Sequence, residues 1–129
     1  MAVPILKQGP FLIASIQAAL TDTDVLQLRD DVMSQVTRHR SRGIIVDVTA
    51  LDVMDSFVSR SLRSIAQMTR LRGAQTVIVG IQPEVAFAMV QLGLVFDDMY
   101  TALDLEEGLA LLNRQLESRQ PTDGRDGGS

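Results

Sequence analysis

Apolar positions along this chain follow two rhythms, short unbroken runs and stripes at spacings of three and four, and the two alternate. The stretch from Val3 to Ile16 is mostly apolar, with a break at Gly9-Pro10. It predicts a short strand, a tight turn and a second strand through Phe11-Leu12-Ile13-Ala14-Ser15-Ile16. Strands this close in sequence pair antiparallel, because a parallel pair needs a longer crossover. Thr21-Asp22-Thr23-Asp24 is a helix start, and Val25, Leu28, Val32 and Val36 then mark one helical face. That helix is expected to end at Gly43, behind Arg38, Arg40 and Arg42, whose charges suit the negative end of a helix dipole.

Ile44-Ile45-Val46-Asp47-Val48 is a β-branched run, read as a strand buried on both faces. A loop follows, and a second helix is expected from about Ser56 to Arg72, with Val58, Leu62, Ile65 and Thr69 inward and Gly73 closing it. Thr76-Val77-Ile78-Val79 is the next buried strand, ended by Gly80. Pro83 opens a third helix, which carries Val85, Met89, Val90 and Leu92 and stops at Gly93. Asp104 starts a last helix with a seam of Leu105, Leu109, Leu112 and Leu116, and the pattern leaves room for a short strand near Met99-Tyr100. Alternating β and α elements predict an α/β domain over residues 1–119. Its sheet is mostly parallel and four- to five-stranded, with an N-terminal antiparallel hairpin and about four helices. The polar, Gly-rich residues 120–129 have nothing to bury and are expected to form a disordered tail.

Composition removes several function classes. A chain of 129 residues can bury a core without staples, and cysteine is absent, so thiolate and disulfide chemistry are out. The N-terminus lacks the pattern of a signal peptide, and no apolar run approaches the ~20 residues that span a bilayer. The cytoplasm is the expected setting, with no membrane partner. Net charge is −4 and the aromatics Phe11, Phe57, Phe87, Phe96 and Tyr100 lie in no basic run, which argues against nucleic acid. Lys7 is the only lysine and His39 the only histidine. A metal site is therefore not expected. There is no Gly-x-x-x-x-Gly-Lys phosphate loop and no Gly-x-Ser-x-Gly elbow, so neither nucleotide cleavage nor serine hydrolysis is expected. Asp47 ends a strand as a phosphoacceptor aspartate would. It lacks the acidic pair and the lysine that such chemistry needs, and reads instead as a buried or loop-capping carboxylate.

The stretch Asp47-Val48-Thr49-Ala50-Leu51-Asp52-Val53-Met54-Asp55-Ser56-Phe57 is a buried strand, a loop, then Met-Asp-Ser at a helix start. It resembles the STAS domain of anti-sigma factor antagonists. Pro4-Ile5-Leu6-Lys7 with Ser15-Ile16-Gln17, Asp55-Ser56-Phe57, Gly80-Ile81-Gln82-Pro83 and Thr101-Ala102-Leu103-Asp104-Leu105-Glu106 bring it nearest the RsbS-type scaffold branch of the stressosome. Simple antagonists follow the serine with a small residue and Gly-Leu-Gly. Here Phe57-Val58-Ser59-Arg60 stands instead, which favours the scaffold branch over direct anti-sigma binding.

The resemblance implies a non-catalytic phosphoprotein without a cofactor. Its phosphoacceptor would be Ser56, and its switch loop would include Asp52, Asp55 and Phe57; Ser59, in the first turn of the same helix, is a weaker rival that the family pattern does not select. Implied partners are a cognate serine/threonine kinase held and released by phosphorylation, paralogous STAS scaffold proteins with sensor domains, and a serine phosphatase, in a large hetero-oligomer. The alternative is a free anti-sigma factor antagonist that binds an anti-sigma factor in a phosphorylation-dependent way. Apart from the resemblance, Ser56 is expected at or beside the N-cap of the second helix, where a hydroxyl bonds a backbone N–H. A helix N-terminus also welcomes a phosphate, while Asp52 and Asp55 repel it. At about 100° per residue, Ser56, Arg60, Arg63, Gln67 and Arg70 share the outer face, a candidate partner contact.

Overall fold

The computed structural model describes residues 3–92 and 99–119. Strands β1 (Ile5–Gln8), β2 (Phe11–Ser15), β3 (Gly43–Asp47), β4 (Gln75–Val79) and β5 (Tyr100–Ala102) form one sheet in sequential order. β1 and β2 are antiparallel and the other neighbours are parallel. Four helices are seen among the described residues, α1 (Asp22–His39), α2 (Ser56–Leu71), α3 (Pro83–Gln91) and α4 (Leu105–Arg119). This is the expected α/β arrangement, including the short strand after Met99. Residues 120–129, expected to be a tail, and Gly93, expected to stop α3, lie outside the described residues.

Right-handed crossovers between strands laid down in order put every connecting helix on one face. The side chains agree. Leu12, Ala14, Ile44, Val46 and Ile78 point to the layer that receives Val25, Leu28, Val32 and Val36 of α1 and Val58, Leu62 and Ile65 of α2. Val85 and Met89 of α3 join the same core. Phe11, Ile13, Ile45, Val77 and Val79 point the other way, against Leu112 and the partly buried Leu105, Leu109 and Leu116 of α4. β3 and β4 thus lie between two apolar layers, which is why they read as continuous runs rather than alternations. On α3, Phe87, Val90 and Leu92 remain exposed.

One boundary differs from expectation. α1 ends at His39 with Arg40 as its C-cap, not at Gly43: Arg40 takes a left-handed conformation (φ 50°) and its N–H donates to the Val36 carbonyl. Gly43 opens β3 instead. A Cβ there would stand 2.8 Å from Leu112 Cδ1 and 3.0 Å from Phe11 Cδ1. The glycine serves the close approach of α4 to the sheet, not the helix stop.

Candidate functional site

All four helices begin at the edge of the sheet where β2 to β5 end, because each helix follows a parallel strand. The loop between β3 and α2 projects from that edge. Its start is held by polar contacts. The Thr49 N–H and hydroxyl both donate to Asp47 Oδ1, at 2.9 and 2.6 Å, so Asp47 is the loop-capping carboxylate expected of it. Gln82 Nε2 donates to the Thr49 carbonyl at 2.7 Å, tying the loop to the start of α3. Leu51 and Met54 are buried and anchor the loop in the core, while Asp52, Val53 and Asp55 between and after them are exposed.

The N-cap of α2 is Asp55, not Ser56. Asp55 has extended backbone (φ −77°, ψ 176°), and its Oδ1 accepts the Val58 N–H at 2.8 Å. The cap therefore falls one residue earlier than a serine-capping reading expects. A carboxylate placed just ahead of the helix reaches the third N–H and also faces the positive dipole end. Ser56 is the first helical residue and is half-exposed. Its N–H and that of Phe57 have no acceptor among the described residues. A hydroxyl here is free of the capping duty, at a helix end whose open N–H groups suit an anion.

The neighbouring positions separate clearly. Phe57 is half-buried and packs against the main core. Arg60, Arg63, Gln67 and Arg70 are all exposed, as the helical geometry expects of an outer face. Ser59 is only 1% exposed, and its Oγ has no hydrogen-bond partner among the described residues. The rival acceptor is thus inside the domain, on the side of α2 that also buries Leu62 and Ala66. A groove of about 340 Å³ runs between α1 and α2, lined by Leu26, Arg29, Phe57, Arg60 and Ser64 among others.

His39 lies in the last turn of α1, at the edge of the sheet opposite Ser56, so the two do not form a catalytic pair. No group of three or more metal-ligating side chains occurs among the described residues. No helix among them is long and apolar enough to cross a membrane.

These elements define a small α/β module whose accessible chemistry is one loop and one helix start. The chain belongs to the STAS family: the STAS domain model matches residues 2–108. It is similar to RsbS of Moorella thermoacetica, solved as a serine-to-glutamate variant. Identity is 35% and the TM-score 0.78, over 89% of this chain and 97% of that one. A chain in a structure describing the molecular architecture of the stressosome is also 35% identical, with a TM-score of 0.76, over 91% of this chain and all of that one. RsbRA of Bacillus subtilis, an RsbT co-antagonist protein, is 29% identical over 83 residues. That match takes in 64% of this chain, and the chain spans only 30% of RsbRA.

Proposed function

We propose that this chain is a non-catalytic scaffold subunit of a stressosome-type assembly that sequesters a serine/threonine kinase and releases it when Ser56 is phosphorylated. The observation that carries this reading is the likeness to RsbS over nearly the whole of both chains. The geometry supports it. Ser56 is half-exposed, free of the capping role and next to two unused helix N–H groups, whereas Ser59 is enclosed. Arg60 stands one helical turn on, within reach of a phosphate at Ser56. Phosphorylation adds between one and two negative charges to a surface already bearing Asp52 and Asp55. It changes the potential that a partner meets without requiring a change of fold.

The acting unit is the domain over residues 1–119, and its setting is the cytoplasm. RsbRA is named as a co-antagonist of RsbT; the partners proposed for this chain are a cognate serine/threonine kinase, paralogous STAS proteins and a serine phosphatase. The exposed row of Arg60, Arg63 and Arg70 is proposed as part of the contact. The test is phosphopeptide mapping after incubation with the cognate kinase and ATP, using wild type and Ser56→Ala. Phosphate on Ser56 that is lost in the variant supports the switch. An active kinase that leaves Ser56 unmodified rejects it and leaves a STAS-shaped binding domain. Particle size with the partners then separates the scaffold from a free anti-sigma factor antagonist, which would remain a monomer or dimer.

A further inference from the structure

Most charges of this domain are sorted by sheet edge, with Glu117 near the end of α4 the exposed exception at the basic edge. At the edge where the strands end, Asp22, Asp52, Asp55, Glu84 and Asp104 are all exposed, and no lysine or arginine precedes Arg60 on the helix starts described there. At the opposite edge, Arg38, Arg40, Arg42 and Arg72 are exposed, and none has an ion pair among the described residues. Arg40, Arg42 and Arg72 border an open cleft of about 500 Å³ whose walls include Val36 and Gly73.

Helix dipoles account for part of this sorting. Arg38 and Arg70 occupy the last turns of α1 and α2, where cations are favourable. They do not account for all of it. Arg40 and Arg72 are C-cap residues and share that effect, but Arg42 lies two residues beyond the α1 cap, and the dipoles do not explain why all three border one cleft. Like charges gathered without a counter-charge repel, so this cleft is stabilised by whatever brings carboxylates to it.

The opposite edge of the same molecule offers that surface. Val53 is 73% exposed, and the exposed carboxylates Asp52 and Asp55 flank it on the projecting loop. We infer that the arginine cleft receives the acidic loop edge of a second copy of this chain, head to tail. Such a contact joins two different surfaces, so it leaves a free edge at each end and extends beyond a dimer unless the rotation closes a ring. It operates in the unmodified chain and does not depend on the switch reading of Ser56.

Sedimentation velocity of the unphosphorylated chain tests this. Two charge-reversed proteins are needed, Arg42→Glu/Arg72→Glu and Asp52→Arg/Glu84→Arg, each checked for folding by circular dichroism. At about 50 mM salt the wild type is expected to associate with concentration without stopping at a dimer, and to weaken at least about tenfold by about 500 mM as the charges are screened. Each variant alone is expected to stay monomeric. Their equimolar mixture should regain association, because each then supplies the charge the other lacks. A wild type that is monomeric at low salt overturns the inference. So does an arginine variant that associates like wild type, or a mixture of two folded variants that remains monomeric.

Discussion

Asp55 accepts the Val58 N–H at 2.8 Å, and the residue between them and next to the cap, Ser56, makes no hydrogen bond through its hydroxyl among the described residues. The aspartate carries the structural work of this helix start and the serine is left available. Asp55→Ala is therefore expected to lower stability by about 1 kcal/mol, the usual cost of losing such a cap. Ser56→Ala should change it by less than about 0.5 kcal/mol. Urea unfolding midpoints of the two variants check this. Equal losses would mean that Ser56 shares the cap.

Ser59 gives a second expectation. Its hydroxyl is enclosed without a partner among the described residues, and an unsatisfied buried hydroxyl costs about 1–3 kcal/mol. Ser59→Ala removes that cost while leaving a methyl group to pack. The variant is expected to be at least as stable as wild type, with phosphorylation at Ser56 unaltered. A destabilised Ser59→Ala protein would point to a hydrogen bond, to water or to a residue outside those described, that the hydroxyl makes.

The fold was largely legible because its signals are collective. The runs at Ile44–Val48 and Thr76–Val79, and the stripe of Val58, Leu62, Ile65 and Thr69, each involve several residues that agree. The misreadings fell where one residue decides. Asp55 and Ser56 are both good N-caps, and composition alone does not choose between adjacent ones; the backbone at Asp55 does. Gly43 looked like a helix stop, but its role depends on Leu112, far away in sequence. Ser59 reads as a rival in the first turn because position in the helix alone does not reveal that the side it shares with Leu62 and Ala66 is buried. The Gln82 bond to Thr49 spans 33 positions, and no local pattern announces it.

That contact makes Gly80 the next residue to test. Gly80 has φ 78°, in the left-handed region, and an added Cβ would land on the Thr49 side chain. Thr49 cannot simply step aside, since it is bonded to Asp47 on one side and Gln82 on the other. Gly80→Ala is expected to cost about 2 kcal/mol or more, combining backbone strain with the lost loop contacts. Thermal unfolding should show the loss. Faster amide exchange at Thr49 and Leu51 should show that the disturbance reaches the loop ahead of Ser56. An unchanged melting temperature would mean that the loop and the α3 start move together without cost.

Ser56→Glu separates a change of surface from a change of fold. The first turn of α2 contains no acidic residue, so a carboxylate at Ser56 gains about 0.3–1 kcal/mol from the helix dipole. Asp52 and Asp55 oppose it by repulsion of similar size at an exposed position. The two effects nearly cancel, and the unfolding midpoint is expected to shift by less than about 1 kcal/mol. Under the proposed function, binding of the cognate kinase would respond differently, because a partner docking at this helix start and on Arg60, one turn away, would meet the added charge at close range. Titration calorimetry is expected to show affinity reduced at least about tenfold, or roughly 1.4 kcal/mol. Unchanged affinity in a folded Ser56→Glu protein would show that the partner does not read this helix start. The arginine row would then have to be tested apart from it by charge reversal at Arg60 and Arg63.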